Sequence, residues 1–279
     1  MEFDRAAYLD NVNSAVSYLQ SKGINNAEVA VILGSGQNKL VEHLTDLKII
    51  PYTEIPGIPH TTVSFHKGNL ILGNIGDRKV MVLQGRFHYY EGFSLQEVSI
   101  FVRVAAALGV RFLIATNAAG GLNPEYRQGD LVSISDHINL MGDSPIRGLN
   151  DVKIGTLFPD MNFVYNRKII DIISKAGTKR NIDIHKGIYC GVKGPQMETP
   201  AEQKMIRMLG ADLVGMSTVP EIITGIQLGL ICAGLSIVTN TCSPDNPEVT
   251  TVEEVVLNAG LVDDHLAAIL VDTIVELES

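Results

Sequence analysis

Short apolar runs, each closing on a glycine- or asparagine-marked turn and most of them followed by a helix signal, recur along the chain from residue 28 onward. Runs of this length are too short for buried helices, and too continuously apolar for half-exposed strands. They fit strands covered on both faces by helices. Residues 28–33 run into Gly34-Ser35-Gly36, and residues 112–116 run into Asn117-Ala118-Ala119-Gly120-Gly121. Residues 70–75 and 79–84 face each other across Gly76-Asp77, a hairpin turn. Residues 184–192, 212–215 and 235–239 complete the set of expected strands.

Helices are expected between them. Val12, Ala15, Val16 and Leu19 recur at helical spacing before Gly23, and residues 163–176 form another helical stretch. Capping boxes stand at Ser94-Leu95-Gln96-Glu97 (its helix running to Gly109), Thr199-Pro200-Ala201-Glu202, Thr218-Val219-Pro220-Glu221 and Thr251-Val252-Glu253-Glu254. No linker, charge block or internal repeat divides the alternation. Residues 1–279 are therefore expected to form a single α/β domain around a central sheet, with 142–160 as a surface loop.

The balance of 22 Lys+Arg against 31 Asp+Glu disfavours nucleic acid or an anionic membrane as the main partner, while leaving room for a local basic pocket. Cys190, Cys232 and Cys242 are an odd, widely spaced set with no ligand pattern, so neither a disulfide framework nor a metal site is expected. Met1-Glu2-Phe3-Asp4-Arg5 has no apolar core, so it does not read as a secretory signal. The most apolar stretch, 225–239, is interrupted by Gln227, Gly229, Gly234 and Ser236 and falls short of the ~20 residues that span a bilayer. A cytoplasmic protein is the expectation.

Open α/β sheets bind ligands where strand ends meet helix starts, and the polar clusters fall there. Gly34-Ser35-Gly36 offers free backbone N–H groups to an anion, although a plain tight turn is the better account of that segment alone. Position 39 is Lys, so the dinucleotide fingerprint is absent. Arg86 and His88 in Gln84-Gly85-Arg86-Phe87-His88-Tyr89-Tyr90-Glu91-Gly92 share a face if the strand continues, and a guanidinium beside an imidazole suits phosphate. Asn117 places an amide at the sheet edge, and Met216-Ser217-Thr218 precedes a helix whose dipole favours an anion. Each has a bland alternative, a turn or an N-cap. Glu198 would otherwise be a surface acid, and Asn240 a strand end.

The order of these segments resembles the trimeric, low-molecular-mass purine nucleoside phosphorylases over nearly the whole chain. The motifs that carry the resemblance are Ile32-Leu33-Gly34-Ser35-Gly36, the 84–92 segment, and Thr116-Asn117-Ala118-Ala119-Gly120-Gly121-Leu122-Asn123-Pro124. Gly194-Pro195-Gln196-Met197-Glu198-Thr199-Pro200-Ala201-Glu202 and Gly215-Met216-Ser217-Thr218-Val219-Pro220-Glu221 follow in the same order. The resemblance implies a mixed β-sheet flanked by helices. It also implies a homotrimer and phosphorolysis of purine nucleosides to free base and (deoxy)ribose 1-phosphate, with no cofactor or metal and phosphate as co-substrate.

Carried over residue by residue, phosphate binding falls on Ser35, Arg86, His88, the Ala118 N–H and Ser217, with His66 near phosphate and sugar. Sugar contacts fall on Tyr90 and Met216, and on Phe158 lent by a neighbouring subunit. Base contacts fall on Glu198, Asn240, Thr239, Met197 and Asn117, and the catalytic set is His88, Asn240 and Glu198. Phosphate itself would displace the base, so no glycosidase-type carboxylate pair is needed. Four positions depart from the family's pattern: Val252 where a histidine is frequent, Met197 for an aromatic, Phe65 for a glycine and Gln37 for an apolar residue. Val252 motivates a rival, 5′-methylthioadenosine phosphorylase. A non-catalytic purine-nucleoside-binding protein is the rival of a different class.

Overall fold

The structure is a computed structural model that describes residues 3–63, 66–149, 151–243, 245 and 247–278. Phe65 and the first two residues of the leader expectation lie outside the described residues.

The chain opens with helix α1 (Arg5–Ser21), capped by Asp4, whose side chain accepts from the Ala7 N–H; its buried positions, Tyr8, Val12, Ala15 and Leu19, follow the 3–4 spacing. Strands β1 (Val29–Leu33), β2 (Thr45–Pro51), β3 (Asn69–Ile75) and β4 (Arg78–Gln84) come next. Then follow α2 (Leu95–Val98), α3 (Ile100–Ala107), β5 (Phe112–Gly121) and β6 (Leu131–Asn139). The second half holds α4 (Arg167–Arg180), β7 (Ile184–Gly191), α5 (Pro200–Met208), β8 (Leu213–Gly215) and α6 (Val219–Gln227). It ends with β9 (Ile231–Thr241), α7 (Val252–Leu261) and α8 (Asp263–Glu276).

Among the described residues these strands make one mixed sheet in the order β2-β3-β4-β1-β5-β8-β7-β6-β9. β9 also pairs with β5 in parallel, so the last five strands of that order close on themselves. β1 is buried along its whole length: Ala30 and Ile32 join the core on one face, while Val29, Val31 and Leu33 join the core on the other. That is the two-residue period of a strand covered on both sides. Truncating any one of its larger side chains to Ala would cost about 2–5 kcal/mol.

Five expectations about elements need correction. β9 spans Ile231–Thr241 rather than 235–239, because it pairs with β5 along its whole length. β5 does not stop at Thr116 but runs to Gly121, because its far end finds partners in β8 and β9. The helix expected to run to Gly109 is broken at Ser99, whose hydroxyl donates to the Leu95 carbonyl 3.0 Å away. The helix expected at 163–176 starts at Arg167, because Asn166 caps it by accepting from the Ile169 N–H; Phe163 stays exposed. The C-terminal helix breaks at Val262, which turns the Asp263 carboxylate onto the backbone N–H groups of Asn38 and Lys39 at 2.5 and 2.8 Å. That contact fastens α8 to the turn behind Ser35. Of the four capping boxes, the three at Ser94, Thr199 and Thr251 form as expected. The fourth does not.

Candidate active site

The ends of β1, β5, β8 and β9, with the segment after β4 and the start of α7, enclose a cavity of about 430 Å³. That volume suits a small ligand.

One wall is built for an anion. β1 ends at Leu33 and the chain turns through Gly34-Ser35-Gly36; Gly36 has φ +76, and a Cβ there would sit 2.5 Å from the Val256 carbonyl, so α7 packs directly on the turn. Gln37, the departure from the family's pattern, is 1 % exposed; its Oε1 accepts from the Gly34 N–H (2.8 Å) and from the Thr116 hydroxyl, tying the turn to β5. Ser35 and Ala118 line the cavity from these two strands.

β4 does not continue to Arg86. It ends at Gln84, and Gly85 (φ +116) turns the chain so tightly that a Cβ there would meet the His66 Cβ at 2.7 Å. Arg86 and His88 nonetheless both reach the cavity. Arg86 is almost wholly buried: Nη1 donates to Ser217 Oγ (2.8 Å) and Thr218 Oγ1 (3.3 Å), and Nη2 to the Thr116 carbonyl (2.6 Å). Its Nε lies 3.3 Å from the Glu221 carboxylate. The box at Thr218 does not form because its hydroxyl accepts from Asn117 Nδ2 and Arg86 Nη1 rather than from a helix N–H. Thr218 takes φ +65 and ψ −52, a γ-turn closed by the Val219 N–H on the Ser217 carbonyl at 2.7 Å. For a β-branched residue that conformation costs about 1–3 kcal/mol.

His88 sits in a carboxylate clasp. Glu91 Oε1 accepts from the His88 backbone N–H and faces its Nδ1, both at 2.9 Å, while Oε2 accepts from the Thr62 N–H at 2.8 Å. Burial lowers the His88 pKa, so the ring is neutral near pH 7; the facing carboxylate puts its proton on Nδ1 and leaves Nε2 as the acceptor. His66 stacks on His88 at 5.3 Å between centroids, and burial, with His88 and Arg86 adding, lowers its pKa to about 3. Glu91 itself is held at about 2: burial opposes ionisation, but hydrogen bonds from His88 and Thr62 outweigh it.

Glu198, Thr239, Asn240 and Met197 also line the cavity. Burial raises the Glu198 pKa, and Glu202 adds to the rise. The Thr239 hydroxyl donates to Asn240 Oδ1 at 3.2 Å, which leaves the Asn240 amide N–H groups as donors. Tyr90 and Met216 line it as well, and Val252, Val255 and Val256 of α7 add apolar lining.

Three of the expected residues stand apart from this arrangement. Asn117 lines the cavity, but within β5 at the anion wall, where its Nδ2 donates to Thr218 Oγ1 at 2.8 Å. His66 is buried behind His88 rather than on the cavity wall. Phe158 is 91 % exposed and outside this chain's own cavity. Thr62 and Val63, cavity residues that sequence reasoning missed, come from an irregular loop with no periodicity to betray it. Thr218 and Glu221 were legible only as a helix start.

A sequence profile described as the Phosphorylase superfamily matches residues 28–276. Within it, the chain is 42% identical over 234 residues to purine nucleoside phosphorylase 1 of Bacillus subtilis, covering 84% of this chain and 86% of that protein. It is 44% identical over 241 residues to the mouse (Mus musculus) purine nucleoside phosphorylase, covering 84% and 83%. A Schistosoma purine nucleoside phosphorylase solved with hypoxanthine superposes with a TM-score of 0.92 at 35% identity, over 98% of this chain and 99% of that one. The chain belongs to the purine nucleoside phosphorylase family.

Proposed function

We propose that this protein catalyses the reversible phosphorolysis of 6-oxopurine nucleosides such as inosine and guanosine, releasing free purine and (deoxy)ribose 1-phosphate. The observation that carries the proposal is that one cavity is lined both by anion donors (Ser35, Arg86, His88 and Ser217) and by a carboxylate and an amide, Glu198 and Asn240. Solved relatives titled as complexes with hypoxanthine and with guanosine support the substrate class.

Phosphate sits against Ser35, Arg86, His88, the Ala118 N–H and Ser217, with His66 behind. Arg86 is neutralised by Glu221, so the dianion is held largely by aligned hydroxyl and N–H donors and by the N-terminus of α6. The sugar lies between Tyr90 and Met216 with C1′ above the phosphate. Cleavage builds positive charge on the sugar and negative charge on the purine, and a phosphate oxygen captures C1′. Asn240 donates to N7/O6 while ionised Glu198 accepts from N1–H, bonds that strengthen as charge reaches the base. His88, catalytic in this scheme, offers Nε2 to the proton of hydrogenphosphate. Phe158 completes a neighbouring subunit's site in a homotrimer. The enzyme is cytoplasmic and uses no cofactor.

A second reading, 5′-methylthioadenosine phosphorylase, draws on the apolar lining formed by Val252, Val255 and Val256. Asn240 weighs against it, since its N–H groups suit a 6-oxo acceptor rather than an amine. The deciding assay offers inosine and 5′-methylthioadenosine, each with and without phosphate. Phosphate-dependent cleavage of inosine supports the proposal. Exclusive use of methylthioadenosine, cleavage without phosphate, or hypoxanthine binding with no turnover would each overturn it.

A further inference from the structure

We propose that Thr218 is a positioning residue for phosphate, holding the Ser217 hydroxyl with its proton turned into the cavity. The inference rests on the phosphate-dependent reading above and assigns work to a residue that touches neither sugar nor base.

The argument is a count of lone pairs and protons. A hydroxyl has one proton to give and two lone pairs to fill. Thr218 Oγ1 accepts from Asn117 Nδ2 at 2.8 Å and from Arg86 Nη1 at 3.3 Å, which fills both of its lone pairs. Its one proton then has a single acceptor among the described residues, Ser217 Oγ at 3.2 Å. Ser217 Oγ also accepts from Arg86 Nη1 at 2.8 Å, so its own lone pairs are filled in turn. What remains of the Ser217 hydroxyl is a donor. The Ser217 backbone N–H is already directed at Tyr189 Oη, 3.3 Å away, leaving the side-chain proton as this residue's offer to a ligand.

Such a hydroxyl can only donate. It therefore selects an ionised phosphate oxygen over a group that brings its own proton, and it needs no reorientation when the anion arrives. The backbone supports this role. Thr218 is fully buried and adopts φ +65, a region a β-branched residue avoids, and that γ-turn sets its hydroxyl beside both Asn117 and Ser217. Glu221, one turn further along α6, fixes the guanidinium that supplies the other donors.

The test is steady-state kinetics on Thr218→Val, which keeps the branched shape and removes the hydroxyl. The KM for phosphate should rise about tenfold, the loss of one hydrogen bond to a charged group, with the KM for inosine unchanged. Thr218→Ser should restore the wild-type value. In a Ser217→Ala background, Thr218→Val should raise the phosphate KM no further, because the relay has lost its last member; a purely structural role would add its cost again. Should the Val variant fail to fold, Thr218→Ala serves the same comparison. An unchanged phosphate KM in Thr218→Val, where Ser217→Ala raises it, would overturn this inference and leave the proposed cradle standing. An unchanged phosphate KM in Ser217→Ala would overturn both.

Discussion

Arg86 Nε and Glu221 Oε1 lie 3.3 Å apart with both side chains 2 % exposed, so the cation nearest the proposed phosphate site carries its own counter-charge. A buried guanidinium without that partner would be costly in the empty enzyme, and the pair avoids it. The same pairing weakens the pull on an incoming dianion.

Glu221→Gln separates the two effects. The side chain keeps its size and shape while the negative charge is gone. Stability should fall by about 3 kcal/mol, because a buried charge loses its partner. The KM for phosphate should fall several-fold, because the guanidinium is no longer neutralised. Thermal melts and phosphate-dependence curves give both numbers. A raised phosphate KM would mean that Glu221 matters for aiming Arg86 more than for cancelling its charge.

His66 makes stability depend on pH in a defined direction. Its pKa is lowered to about 3 in the folded protein by burial, His88 and Arg86, against 6.5 for the free side chain. The unfolded chain therefore binds more protons between these values, and the stability contributed by the neutral ring, complete above pH 6.5, is lost as pH falls toward 3. By pH 4.5 the loss should be on the order of 2 kcal/mol. Glu91, held at about 2, takes up its proton only below that range. Denaturant melts of wild type and His66→Gln at pH 7 and pH 5 test this. The wild type should lose more stability than the variant, and parallel losses would refute the assignment.

Asn240→Ala should lower kcat/KM for inosine by on the order of 10²-fold or more, the cost of removing one donor from a developing negative charge. Thr239 anchors the Asn240 amide by donating to its Oδ1, so Thr239→Val should reproduce a smaller part of the loss through misplacement of the same N–H groups. An unchanged rate in Asn240→Ala would remove Asn240 from the mechanism.

Sequence logic reached as far as its forces are local. The boxes at Thr199 and Thr251 formed because a hydroxyl and a carboxylate three residues apart satisfy each other's backbone N–H whatever surrounds them. The box at Thr218 has the same letters and failed, because Arg86 and Asn117, distant in the chain, take its hydroxyl in a buried place. β2 escaped notice for a related reason: most of its residues are exposed, and only pairing with β3 identifies it as a strand. The anion wall was legible as a cluster of residue types around Ser35, Arg86, His88 and Ser217. Its wiring through Gln37, Thr116, Asn117 and Thr218 was not, since the Thr116–Gln37 and Asn117–Thr218 bonds join segments 79 and 101 residues apart in the chain.

Glu198 yields a pH profile and a specificity change from one substitution. Burial, with Glu202 adding, raises its pKa above the ordinary carboxylate value of 4.5. The Cys190 and Cys242 thiols nearby are pushed up to about 12, mainly by burial, so they stay protonated and add no competing charge near neutral pH. The ionised carboxylate accepts from the N1–H of a 6-oxopurine more strongly than the protonated acid does, so kcat/KM for inosine should fall as pH drops through this raised value. Glu198→Gln should remove that acid limb and cost about tenfold or more at neutral pH, because a neutral acceptor replaces a charged one. Adenine has no N1–H but offers N1 as an acceptor, which the new amide can meet by donating. The ratio of adenosine to inosine turnover should therefore rise in the variant. A retained acid limb with an unchanged ratio would show that the carboxylate does not face N1 of the base.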